Sequence, residues 1–197
     1  MRCHVTGQHD FGSYEDAGAV IAVDLVNELA IDHAFGRPGA RTDPFAAIQR
    51  VLAIDPPSAA QLRERDVPGF LALARQLREV FGALARGDVD AAASRLNDLL
   101  AAHPAHPHLA KDDGHWRLHH HPADAALVPM ATAIAAEGVA RMIGAGAGSR
   151  LGTCSSDDCD RVFLDGSKNA SRRFCSTTCQ NRVKAAAFRR RARSGKQ

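Results

Sequence analysis

Apolar residues recur three and four positions apart through most of the chain before Gly144. That is the period of helices burying one face. From Tyr14 to His33 the repeat runs through Val20, Ile21, Leu25, Val26 and Leu29, and Gly36, Pro38 and Gly39 end it. Asp43 before Pro44 predicts an N-cap and first helical position for TDPFAAIQRVLAI, which the pair Pro56-Pro57 breaks. Ser58 and Gln61 have capping-box spacing and start a short turn. The run FLALARQLREVFGALARG carries a stripe of Phe70, Leu73, Leu77, Val80, Phe81 and Leu84, closed by Gly87. Asp88 then caps DVDAAASRLNDLLAA, where Val89, Ala92, Leu96, Leu99 and Leu100 share a face. So short a link predicts an antiparallel helix pair.

Between Pro104 and Pro122 the period shortens. An Asp-Asp-Gly turn separates two short extended runs, which predicts a β-hairpin with Trp116 and Leu118 facing the core. The segment ADAALVPMATAIAAEGVARMIGAG then reads as a long, mostly buried helix, and Gly144, Gly146 and Gly148 as a flexible exit. The domain boundary is expected there, between a helical domain over 1–148 and a second module over 149–197. Apolar content is 45% but aromatic content only 5%, so Ala, Leu, Val and Ile must build the core. That composition suits helices better than a sandwich. The fold class expected is mainly α (α+β).

The chain contains no unbroken apolar run of spanning length, and its start, MRCHVTGQHD, has no signal-peptide pattern. A cytoplasmic chain with reduced thiols is therefore expected. Its five cysteines are read as metal ligands, reactive groups or core residues before disulfides.

Charge divides the chain. Residues 150–197 carry twelve Lys or Arg against four Asp, a net +8, whereas the rest of the chain carries −5. A basic end on an acidic body points to a polyanion met by one part only.

Four of the cysteines fall in that basic end: Cys154, Cys159, Cys175 and Cys179. Two close pairs separated by 15 residues let each pair take one edge of a zinc tetrahedron. RVFL and SRRF, on either side of DGSKNA, are expected to form the intervening hairpin. Val162, Phe163, Leu164, Phe174 and Val183 are nearly all the module's large apolar side chains, too few to fold so small a unit without a staple. Two disulfides would require an exported chain. Iron–sulfur ligation suits the basic helix and spacing less well than zinc. Four thiolates leave no open position, so one zinc per chain is expected to be structural rather than catalytic.

Thr177 and Gln180 predict a second capping box and a helix starting near Thr177. Stepping about 100° per residue from Cys179, Val183, Ala186 and Ala187 fall toward the metal. Arg182, Arg189 and Arg193 share one flank, and Lys184 and Arg191 the other. Arg172, Arg173, Arg182, Lys184, Arg189, Arg190 and Arg193 are the candidate nucleic-acid contacts. A merely solvated basic face is the plain alternative. Phe188 falls opposite Cys179, leaving three roles open: docking on the larger domain, contact with a base, or a dimer contact.

The stretch RLGTCSSDDCDRVFLDGSKNASRRFCSTTCQNRVKAAAFRRRAR resembles the CGNR zinc finger, a bacterial module. Cys154, Cys159, Val162, Phe163, Asp165, Ser167, Asn169, Arg172, Arg173, Cys175, Cys179, Asn181 and Arg182 match its pattern. Gln180 stands where the name requires Gly, Phe174 replaces the usual Trp, and the last cysteine pair is one residue tighter. The body is similar to the ABATE domain, a family associated by name with stress-induced transcription regulation. AVDLVNEL, RLNDLLA and HLAKDDGHWRL carry that likeness. The resemblance implies a helical domain with a small β element, a treble-clef-like zinc domain and a DNA-binding regulatory role. The helical domain would then act as sensor or dimerisation unit, with a small-molecule effector or a homodimer as further partners and no membrane.

A zinc-stabilised protein- or RNA-interaction module without sequence-specific DNA binding is the alternative. An enzyme is not expected, since no nucleophile–base pairing or cofactor motif stands out. Asp24 and Asn27, in an otherwise apolar helix, are either a buried pair bonded to neighbouring backbone or the lining of a ligand pocket. His115, His119 and His121 share a strand face, where a second metal site competes with plain exposure. Cys3, near the start, reads as a spectator thiol.

Overall fold

A computed structural model describes residues 17–39, 42–104, 107–112, 114–119 and 125–194. Five helices of the body surround one apolar core, α1 (Ala17–Leu29), α2 (Pro44–Leu52), α4 (Val67–Ala85), α5 (Val89–Ala102) and α6 (Leu127–Gly144), with the short α3 (Pro56–Gln61) beside α2. Asp43 and Asp88 cap α2 and α5 as expected, accepting the amides of Ala46 and Ala91 at 3.1 and 3.0 Å. Helix α2 ends before the pair Pro56-Pro57, and that pair rather than Ser58 opens α3, with Asp55 at its N-cap. Proline is tolerated in a first turn because the amides there have no intrahelical partner.

Helix α1 is central. It packs on α6, α2 and α4, and α4 and α5 pair as predicted. Its buried face is Gly18, Ala19, Ala22, Leu25, Val26 and Asn27, while Val20, expected in the stripe, is exposed. The face is rotated because α1 and α6 approach closely through Gly18 and Gly138. A Cβ on Gly138 would stand 2.5 Å from the Ala19 backbone nitrogen, so small residues rather than Val20 mark the contact. Among the described residues, α6 is the one helix long and apolar enough to cross a membrane. It packs against α1 and α5 with Ala131, Ala135, Ala136 and Val139 buried.

Among the described residues there are three small antiparallel hairpins: β1 (His33–Ala34) with β2 (Arg37–Pro38), β3 (His108–Asp112) with β4 (His115–His119), and β5 (Leu151–Thr153) with β6 (Val162–Leu164). The β3–β4 hairpin forms in register around the Asp-Asp-Gly segment, pairing Leu109 with Leu118 and Lys111 with Trp116. Trp116 does not face the core: it is 69% exposed and Leu109 65%. The face carrying Leu109 and Trp116 is exposed, whereas His108, Ala110 and His119 on the other face are half-buried. The Leu118 side chain lies outside the described residues.

The β5–β6 hairpin behaves differently. Leu151 and Val162 are each 2% exposed and belong to the same core as Leu25, Phe70 and Leu77. β5 lies on α4 and β6 on α1. The partner of RVFL is thus the upstream segment Leu151–Thr153, not SRRF. SRRF runs alongside as irregular chain, the Arg173 carbonyl accepting the Ser155 amide at 2.9 Å.

Candidate metal centre

The β5–β6 turn carries Cys154 and Cys159, with Asp158 taking a positive φ of 54° to close the knuckle. Cys175 ends the following loop, and Cys179 lies in the first turn of α7 (Thr177–Ser194). The cap is Ser176, whose hydroxyl accepts the Cys179 amide at 3.3 Å. The helix begins at Thr177 as expected, but Ser176 rather than Thr177 caps it, and Gln180 is exposed. Capping by Ser176 fixes Cys179 in the first turn of the helix.

The four sulfur atoms lie within 4.8 Å of one another. Cys159–Cys175, Cys175–Cys179 and Cys179–Cys159 are separated by 3.8, 3.7 and 3.7 Å. Zn–S bonds of about 2.3 Å give a tetrahedron with edges of about 3.8 Å, so the donor set fits zinc in size and type. Burial first, then the neighbouring thiols, pushes the Cys175 thiol well above its ordinary range. Burial also raises Cys154. A bound dication relieves this mutual opposition, and the four thiolates hold one structural zinc. At Cys159 burial is outweighed by the Phe35 and Arg161 amides, and the pKa falls. The body thus supplies a donor to a metal ligand.

That link is one of several. Asp160 receives the Asp32 and His33 amides at 3.2 and 2.8 Å, with Arg78 at 3.7 Å. The Gly36 amide donates to Asp158 at 2.9 Å, and Arg161 lies over the Phe35 ring. Asn27, 6% exposed, donates to the Val162 carbonyl at 3.0 Å and accepts its amide at 2.9 Å. Both ends of this amide are engaged on backbone, as in the plainer of the two expectations. Asp24 is exposed rather than paired with it. Partial desolvation raises the Asp24 pKa, while Arg161 opposes the shift and Glu28 adds to it.

The expected nucleic-acid contacts divide. The guanidinium of Arg172 donates to the carbonyls of Phe174, Leu164 and Cys175 and lies 5.0 Å from the Phe163 ring centroid. Arg182 donates to the Ser156 hydroxyl at 3.0 Å and the Asp157 carbonyl at 3.2 Å. It also lies against Gly36, where a Cβ would overlap its guanidinium and where φ is +81°. These two arginines hold the finger together and against the body. Arg173, Lys184, Arg189 and Arg190 are exposed. The Arg193 side chain lies outside the described residues, as do Cys3 and His121. His115 is exposed, and the cysteine set is the one metal-binding cluster among the described residues.

Asp165 was matched to the finger's pattern but given no role, although its Asp-x-Ser spacing is a turn signal. Its side chain is 1% exposed and accepts the Ser167 and Arg172 amides at 2.8 and 2.7 Å. Burial opposes ionisation, but these bonds and Arg150 outweigh it and lower the pKa below 3.8. The stabilisation is therefore complete at neutral pH, above the unfolded-state value, and is lost as pH falls through the lower folded-state value. Asp165→Asn turns an amide group toward the Arg172 N–H. It should cost about 1–3 kcal/mol in a denaturant melt, and an unchanged midpoint would remove Asp165 from this role.

No curated protein sequence matches the chain closely enough to count as a relative. Two family profiles do match, on either side of the Gly-rich link: the CGNR zinc finger over residues 150–192, and ABATE, "Putative stress-induced transcription regulator", over residues 19–146. With the larger match spanning well over half its length and the second covering all four metal ligands, the chain belongs to the ABATE family and ends in a CGNR zinc finger.

Proposed function

We propose that the protein is a DNA-binding transcription regulator. The observation that carries this reading is α7 itself. A structural metal fixes its first turn, no other helix or strand packs along its length among the described residues, and Lys184, Arg189, Arg190 and Arg191 are exposed on it. A rigid cationic rod on an otherwise acidic chain suits a polyanion. The body is the sensor or dimerisation unit. Its bonds through Asn27, Phe35 and Asp160 give any change in α1 or α4 a direct route to the metal site. A chromosomal target places the chain in the cytoplasm, and no chemistry is assigned to it.

Gel shifts of the zinc-loaded chain on duplex DNA over a salt series test the reading. Affinity should fall linearly with log salt, and Arg189→Ala or Arg173→Ala should each reduce the slope by about 1. Tighter binding to structured RNA, or none to DNA at low salt, would favour the interaction-module alternative.

A further inference from the structure

Helix α7 has a side that the metal does not use. Val183, Ala186 and Ala187 are partly covered on the side of Cys179. On the opposite side, Asn181, Lys184, Ala185, Phe188, Arg191 and Ala192 are all exposed. With about 100° per residue, these six lie within about 60° of the direction of Phe188. Phe188 is 68% exposed, so it does not dock on the body.

The geometry points to this face as the one that reads base edges in the major groove of B-form DNA. The inference rests on the DNA-binding reading above and names its specificity-determining residues. The residue types fit the chemistry of the groove. Asn pairs with adenine, Lys and Arg with guanine, and Ala or Phe with the thymine methyl. Ala185 and Ala192 flank Phe188 and let the helix approach closely. A helix of about 10–12 Å diameter fills a groove about 12 Å wide. From Asn181 to Arg191 the rise is about 15 Å, enough to pass four or five base pairs at about 3.4 Å each. Arg189 projects sideways toward a phosphate wall, as does Arg173 from the loop before Cys175.

Charge decides between this and a dimer contact. Phe188 is surrounded by Lys184, Arg189 and Arg191. Two copies meeting there would set these cations against each other, whereas a nucleic acid attracts them. Duplex RNA is excluded by shape, since its deep, narrow major groove does not admit a helix.

The test uses the zinc-loaded full chain and a randomised duplex pool. Wild type should enrich a motif of about four or five base pairs. Phe188→Ala and Asn181→Ala are exposed, uncharged substitutions. Each should lose about fivefold or more discrimination at one position while zinc content and salt slope stay unchanged. Arg189→Ala should instead weaken all sequences alike and reduce the slope by about 1. Unchanged base preferences in both uncharged variants would overturn the assignment and leave DNA binding standing. So would binding without any enriched motif, or a Phe188→Ala chain that turns from dimer to monomer with its preferences intact. Absence of binding to every duplex at low salt would overturn the parent reading itself, as would preference for RNA.

Discussion

Removing the metal, by chelation or by Cys179→Ser, should unfold the helical body together with the finger. The sequence suggested a separable module, with the Gly-rich exit as its boundary. In the structure the metal-bearing hairpin is part of the body's core. Leu151 and Val162 are as buried as Leu73 and Leu96, and β5 and β6 rest on α4 and α1. A structural zinc site contributes about 10 kcal/mol or more of folding free energy, comparable to the whole net stability of a domain, about 5–15 kcal/mol. Without it, four thiols face one another in a partly buried knuckle, and the ends of β5 and β6 keep only bonds such as those of Asn27 and Asp160. The hairpin then leaves the core and uncovers apolar surface on two helices.

Circular dichroism melts and metal analysis check this. One zinc per chain and a single transition are expected of the loaded protein. Loss of the metal should lower the body's midpoint by about 20–40 °C, as about 10 kcal/mol of lost stability would do in a chain of this size. A metal-free chain that loses only the ellipticity of α7 and keeps the body's transition unmoved would show the two parts to be independent.

The local elements were legible because their signals are local. Asp43 and Asp88 sit before helices, and the stripes of α4 and α5 repeat at helical spacing. The four thiols were legible because close pairs in a core-poor segment leave few other readings. What distance along the chain hides was not legible. Nothing near Asn27 indicates a partner 135 residues away, and the amphipathic pattern of α1 gives no weight to glycines that act by having no side chain. Trp116 was misplaced because strand alternation tells which residues share a face but not which face is inward, and its face is the exposed one. Arg172 and Arg182 were read by charge alone. Their long planar groups also suit the bonding of several carbonyls at once, a use that becomes visible only when the loop carbonyls are in place.

Asn27→Ala should cost about 3–5 kcal/mol and loosen the metal. The substitution leaves the amide and the carbonyl of Val162 without partners inside the core, at about 1–3 kcal/mol for each unsatisfied group. Asn27→Asp is no rescue. Its carboxylate still accepts the Val162 amide, but it sets an oxygen against the Val162 carbonyl and places a charge where Asn27 is 6% exposed. Both variants should show a lower denaturant midpoint and faster zinc transfer to a competing chelator, since β6 leads directly from Cys159 through Arg161. Asp24→Asn, on the exposed side of the same helix, should change neither by more than about 0.5 kcal/mol. The contrast separates a clamp from a ligand pocket. A pocket residue replaced by alanine would leave stability and zinc release near wild type, and that outcome would return Asn27 to the sensor's binding site. If the clamp holds, the AVDLVNEL segment acts as the seat of the finger, and an effector of the body needs only to move α1 to alter how firmly the basic helix is held.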